Sequence, residues 1–107
     1  MYYTAQNEWI RLSDNKATVG LVGSAMPGDV VYIELPAVGL KVQKGEPCAT
    51  VESTKAVSEV HAPVSGVITA INDHVYDVPE IVTEEGTWLF KVDFVGVADT
   101  SGWKTEK

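Results

Sequence analysis

Lys55 stands in the run Val51-Glu52-Ser53-Thr54-Lys55-Ala56-Val57, between two short β-capable segments, with Gly45 ten residues before it and Gly66 eleven after. The simplest geometry for that pattern is a hairpin with the lysine at or next to its tip. On a strand face its ammonium would be one solvated charge among the chain's seven lysines. At a tip it projects from the body, where another protein's active site can reach it. Ser53 and Ala56 are small enough to keep the turn narrow and the amine unshielded. Nothing nearby supplies the desolvated pocket that Schiff-base lysines use. The chemistry is therefore that of an acceptor: an amine to be acylated by an enzyme that brings its own base.

Little else in the chain could react. One cysteine, Cys48, excludes an internal disulfide framework, and two histidines thirteen residues apart, His61 and His74, cannot complete a zinc cluster with it. No catalytic residue and no metal site is expected. Cys48 falls in a strand and reads as a small core filler. His61, just before Ala62-Pro63, reads as a strand-end residue, and Trp9 and Trp88 read as core.

The elements that would position Lys55 are strands. Glu8 to Leu12 and Ala17 to Val22 flank the turn chemistry of Ser13-Asp14-Asn15-Lys16 and predict a hairpin. Gly23 to Asp29 is too rich in breakers for a long helix. Val30 to Leu35 is strand-like and ends at Pro36. Further strands are expected within Gly39 to Gly45, over Pro47 to Ser53 and Ala56 to His61, after Gly66, and over Thr87 to Val92. Asn72 to Glu80 is a polar loop with room for one helical turn. Many short strands between turn signals predict an all-β domain, a small sandwich or flattened barrel with at most short helical turns. Gly45 and Gly66 are expected to permit the turns that align its two halves.

At 107 residues the chain holds one domain with a modest core. Its division is a body over residues 1–94 and a polar tail over 95–107, expected to be mobile unless Trp103 pins it back. Fifteen acidic against eight basic residues give a net charge of −7. That sign repels nucleic acid and anionic membranes, so neither is an expected partner. No apolar stretch is long enough to span a bilayer and no leader precedes the first strand, so a cytoplasmic location is expected.

The words around Lys55 carry a resemblance. Glu52-Ser53-Thr54-Lys55-Ala56 resembles the attachment motif of lipoyl domains, in which an acidic residue lies three before the lysine and an alanine follows it. Biotinyl domains share the fold but set their lysine between methionines, whereas Thr54 and Ala56 stand here. Asn7-Glu8-Trp9-Ile10-Arg11, Gly28-Asp29-Val30-Val31-Tyr32-Ile33-Glu34-Leu35-Pro36, Lys44-Gly45-Glu46-Pro47, Ala62-Pro63-Val64-Ser65-Gly66 and Trp88-Leu89-Phe90-Lys91 resemble, in order, the glycine cleavage system H protein family. The similarity runs collinearly from about Tyr3 to Phe94.

The resemblance implies a fold of the biotinyl/lipoyl-carrier type with an extra N-terminal hairpin, and a carrier rather than an enzyme. Lipoate would be amide-linked to Lys55 by a lipoate ligase or lipoyltransferase. Glu52, Ser53, Thr54 and Ala56 would form the recognition signal. The arm would carry an aminomethyl group from glycine decarboxylase to an aminomethyltransferase, and dihydrolipoamide dehydrogenase would reoxidise it. Glu8 would line the groove where the loaded arm rests.

The chain departs from the family in four places. Asn7 replaces a histidine. The segment from Leu21 to Gly28 is shorter, and Met26-Pro27-Gly28 stands where a histidine often occurs. Glu84-Glu85-Gly86 abbreviates a loop, and Val95 to Lys107 has no period of the family's C-terminal helix. Two alternatives therefore stand beside the glycine cleavage carrier. One is an H-like lipoyl protein serving lipoate relay, a redox or ADP-ribosylation-linked stress response, or sulfur metabolism. The other is an interaction domain without lipoate.

Overall fold

The structure, a computed structural model, describes residues 1–105; Glu106 and Lys107, the end of the expected tail, lie outside the described residues. Among the described residues, nine strands form two sheets. They are β1 (Tyr2–Tyr3), β2 (Glu8–Ser13), β3 (Lys16–Leu21), β4 (Val30–Glu34), β5 (Lys41–Val42), β6 (Pro47–Ser53), β7 (Val57–His61), β8 (Gly66–Ile71) and β9 (Trp88–Asp93). A six-stranded sheet runs β1-β2-β3-β9-β8-β5, and a three-stranded sheet, β4-β6-β7, packs over it. Every pairing is antiparallel. The all-β sandwich expected from the sequence is the observed fold; the two-residue β1 had no signal of its own.

Alternation along each strand decides what faces inward. In β2, Ile10 points to the core and Trp9 to the outside, opposite Gly20 of β3. Trp9 is 3% exposed, yet it is not part of the contiguous core. It lies flat on the outer face of the sheet because Gly20 leaves room: a Cβ there would fall 2.3 Å from the indole. Trp88 is only half-buried, with the Lys91 ammonium 4.9 Å over its ring. Both tryptophans were expected in the core. Trp9 is buried as expected, though on the opposite face of the sheet from the main cluster. Trp88, which shares the parity of Phe90 and Val92, is turned partly outward by the bulge where β9 pairs with Val19 and Gly20. The true centre includes Ile10, Val19, Ile68, Leu89 and Phe90, each 0% exposed. Side chains of that size contribute about 1.5–3 kcal/mol apiece by leaving water.

The loop expected over Asn72 to Glu80 contains one helical turn, α1 (His74–Asp77), followed by a 3-10 turn over Pro79–Thr83. Each delivers one valine, Val75 and Val82, into the core beside β4. Among the described residues no helix is long and apolar enough to cross a membrane.

After Phe94, which is buried, Val95 and Val97 stand in solvent and the chain then turns back. The Tyr3 N–H donates to the Lys104 carbonyl at 2.7 Å, and the Lys104 N–H donates to Tyr3 at 2.9 Å. Trp103 packs 5.5 Å from the Tyr2 ring, the pinning contact anticipated for this segment. Its composition marked a tail; its placement comes from bonds to the other end of the chain.

Candidate functional site

β6 and β7 form the hairpin that presents Lys55. Glu52 pairs with Val57, and the Ser53 N–H donates to the Ala56 carbonyl at 2.8 Å, so only Thr54 and Lys55 lie in the loop. Ser53 is 5% exposed, and its hydroxyl organises the turn. Its oxygen accepts the N–H of Lys55 at 3.2 Å and of Ala56 at 3.0 Å, while its proton goes to the Pro27 carbonyl at 2.5 Å. Ser53 thus shapes the tip from beneath, whereas Glu52, Thr54 and Lys55 are exposed and Ala56 is half-buried. Among the described residues no ion pair involves Lys55.

A second segment buttresses the turn. The Thr54 N–H donates to the Asp29 carbonyl at 2.9 Å, and the Asp29 N–H donates to Thr54 Oγ1 at 3.3 Å. Between them lies Gly28, at φ +79°, where a Cβ would fall 2.5 Å from Thr54 Oγ1 and 3.2 Å from Lys55 Cγ. From the sequence, Pro27-Gly28-Asp29 is a breaker run and part of the family's words, with no sign of a contact to the hairpin. A glycine after proline was the available signal, but nothing along the chain shows that it lies against a turn some 26 residues later. Gly28→Ala should cost on the order of 1–2 kcal/mol, since a positive φ and a close neighbour both oppose a methyl group. The check is a lowered melting temperature together with slower acylation of Lys55.

The two glycines flanking the hairpin differ in kind. Gly45, at φ +90° in open space, is a turn residue as expected. Gly66 is not: it opens β8, and a Cβ there would meet the Asp93 carbonyl oxygen at 2.0 Å. Close approach of two strands, rather than a turn, demands that glycine.

At the far end of β7 the structure joins two residues that sequence reading kept apart. Glu8 is 3% exposed and both oxygens of its carboxylate are bonded. Oε1 accepts the Thr4 hydroxyl at 2.9 Å; Oε2 accepts the His61 N–H at 2.5 Å and lies 2.8 Å from His61 Nδ1. His61 is therefore more than a strand-end residue. It and Glu8 latch the edge of the small sheet onto the start of β2. Asn7, just before, adopts φ +63°, a left-handed conformation that asparagine tolerates well. Met26, where a histidine was missed, is 9% exposed and belongs to the core. The imidazole that reaches Glu8 comes from β7 instead. Beside this latch a cavity of about 400 Å³ is lined by Glu8, Lys44, His61, Pro63 and Trp103 among others.

Cys48 is half-buried, and burial first, then the Glu46 carboxylate, pushes its thiol up to about 11. A thiol held neutral is unreactive, in keeping with its reading as a filler. Among the described residues no group of three or more His, Cys, Asp or Glu side chains could hold a metal ion.

Comparison with known proteins agrees with the geometry. Residues 1–106 match the family model described as glycine cleavage H-protein. The chain is 51% identical over 100 residues to the glycine cleavage system H protein of Herpetosiphon aurantiacus, covering 88% of this chain and 77% of that one. It is 47% identical over 104 residues to the protein of the same name from Azoarcus sp., covering 92% and 82%. The crystal structure of a glycine cleavage system H protein from Mycobacterium marinum superposes with a TM-score of 0.80 at 37% identity, covering 92% of this chain and 86% of that one.

Proposed function

Because the chain belongs to the glycine cleavage H-protein family, we propose that it works with lipoate amide-linked to Lys55, as the mobile carrier between the enzymes of glycine cleavage. The observation that carries this reading is the tip itself: an exposed lysine in a two-residue loop, stabilised from behind by Ser53, Thr54 and Gly28. The residues fit the group. Lys55 is exposed, and Gly28 leaves room for the start of its side chain, since a Cβ there would fall 3.2 Å from Lys55 Cγ.

Attachment needs little from this chain beyond presentation. Lys55 Nζ adds to the carbonyl of a lipoyl adenylate made from lipoate and ATP, the amide forms, AMP leaves, and the amine's proton passes to a base on the attaching enzyme. Once bound, the lipoyl group supplies a long tether ending in a dithiolane that exchanges an aminomethyl group and two electrons with partner enzymes. The rigid hairpin fixes where that tether begins, which turns encounters with separate active sites into delivery at high effective concentration. The partners in this reading are a lipoate ligase or lipoyltransferase, glycine decarboxylase, aminomethyltransferase and dihydrolipoamide dehydrogenase. The chain itself breaks no bonds of the substrate.

A resting arm would meet Glu8 beside the bonds it already accepts from Thr4 and His61. The identity to glycine cleavage proteins across most of the chain favours this carrier over the H-like alternatives. Intact mass read in two steps tests it. Incubation with a lipoate ligase, lipoate and ATP should add one lipoyl increment. The lipoyl group kept in its oxidised, disulfide form and given glycine with glycine decarboxylase should then add an aminomethyl increment, the carboxyl leaving as CO2 while the S–S bond opens to one aminomethylated sulfur and one thiol. A lipoyl increment that never loads, beside a standard H protein that does, would assign the arm to another pathway.

A further inference from the structure

The strands of the small sheet, Val30–Glu34, Pro47–Ser53 and Val57–His61, contain no lysine or arginine, whereas Arg11, Lys16, Lys41 and Lys91 all lie on strands of the large one. Register arranges the outward side chains of the small sheet into rows below Lys55. Tyr32, Glu52 and Val57 form the first row, and Glu34, Thr50 and Glu59 the second. Tyr32 is 49% and Val57 62% exposed, and Glu34, Glu52 and Glu59 are exposed with them. The side chains of Glu52 and Glu59 make no hydrogen bond or ion pair to a described residue. Beside β4 the face opens into a notch of about 340 Å³ lined by Tyr32, Glu34, Val75, Tyr76 and Pro79. The Tyr32 hydroxyl donates to Glu34 at 3.1 Å, and that bond, then the Glu34 charge, holds the phenol above its ordinary range.

Reach decides who must touch this face. A lysine side chain spans only about 6 Å from its Cα. The enzyme that acylates Nζ must therefore bring its entrance down around the hairpin, over the first rows. Enzymes that act later on the far end of a long tether have no such requirement. We propose that the outer face of β4-β6-β7 is the docking surface for the enzyme that acylates Lys55, and that this enzyme meets it with an arginine-bearing rim, one guanidinium seating in the Tyr32–Glu34–Tyr76 notch. The chemistry is complementary at each point. The carboxylates attract a basic rim, Tyr32 and Val57 give the contact an apolar centre, and a planar cation stacks on phenol rings while pairing with Glu34. Glu34, Glu59 and Tyr32 thereby join recognition alongside the motif around the lysine. The proposal rests on Lys55 being the lipoyl acceptor.

The test is steady-state lipoylation by a lipoate ligase with lipoate and ATP, the domain being the varied substrate. Glu34→Gln/Glu59→Gln should raise KM roughly three- to tenfold at low salt with kcat unchanged, and the gap should close near about 0.5 M salt as screening removes the attraction. Tyr32→Ser should raise KM at every salt concentration. Asp14→Asn/Glu84→Gln, the same charge change away from the face, should leave KM within about twofold of the parent. Melting curves matching the parent establish that each variant is folded. A parent-like KM for the Glu34/Glu59 variant, or an equal rise in the Asp14/Glu84 variant, overturns the docking surface while Lys55 remains the acceptor. Failure of the parent chain to take lipoate on Lys55 overturns the acceptor reading and the surface with it.

Discussion

Lys55→Arg should fold as the parent does and take up no lipoate, a complete loss of the mass increment. The substitution keeps charge and approximate length at an exposed tip, so its stability should lie within about 0.5 kcal/mol of the parent. Chemically it removes the acceptor, because a guanidinium stays protonated and does not form the amide. The Ser53 turn is untouched, since Ser53 Oγ bonds the backbone N–H of residue 55 and not its side chain. The measurement is intact mass after incubation with ligase, lipoate and ATP, with a thermal melt in parallel. An unchanged melt with no increment assigns the site. A lipoyl increment that persists on another lysine refutes it, and with it the carrier geometry built on the β6-β7 tip.

Glu8→Ala should be the most destabilising single change outside the hydrophobic core. The carboxylate is the partner of three donors, the Thr4 hydroxyl, the His61 N–H and the His61 ring, inside a buried site. Truncation leaves the edge amide of β7 without a partner and opens a void. Charge-assisted bonds of this kind contribute about 1.5–3 kcal/mol, and orphaning a buried donor costs about 1–3 kcal/mol. A loss on the order of 2–4 kcal/mol follows, which for a domain of this size lowers the melting temperature by about 10–20 °C. Glu8→Gln, which keeps one acceptor oxygen, should lose roughly half as much. His61 ends β7 and Lys55 lies beyond its start, so acylation of the folded variant should proceed at close to the parent rate. A melting temperature within about 2 °C of the parent would show that the latch holds nothing together.

These two residues mark the boundary of what the sequence could say. Lys55, its hairpin and the strands that carry it were legible because each is a local pattern: alternation, turn residues, and an attachment motif within a few residues. The same holds for the all-β fold, since period-two runs broken by glycine and proline leave few architectures. Membership of a carrier family followed from short words in a collinear order, which need no coordinates to be read.

What only the tertiary structure decided are contacts between segments far apart in the chain. Ser53 read as part of a recognition motif, yet its hydroxyl is spent on Pro27 and on its own turn. Gly66 read as a turn residue until the Asp93 carbonyl was seen against it. Glu8 and His61 lie 53 positions apart, and nothing in either neighbourhood names the other. Alternation tells which side chains share a face of one strand, but not which strand of the other sheet that edge will meet. The burial of a carboxylate and the aim of its hydrogen bonds are properties of the packed pair of sheets. For that reason the acceptor could be found in the sequence, and the latch and the acidic face below the hairpin could not.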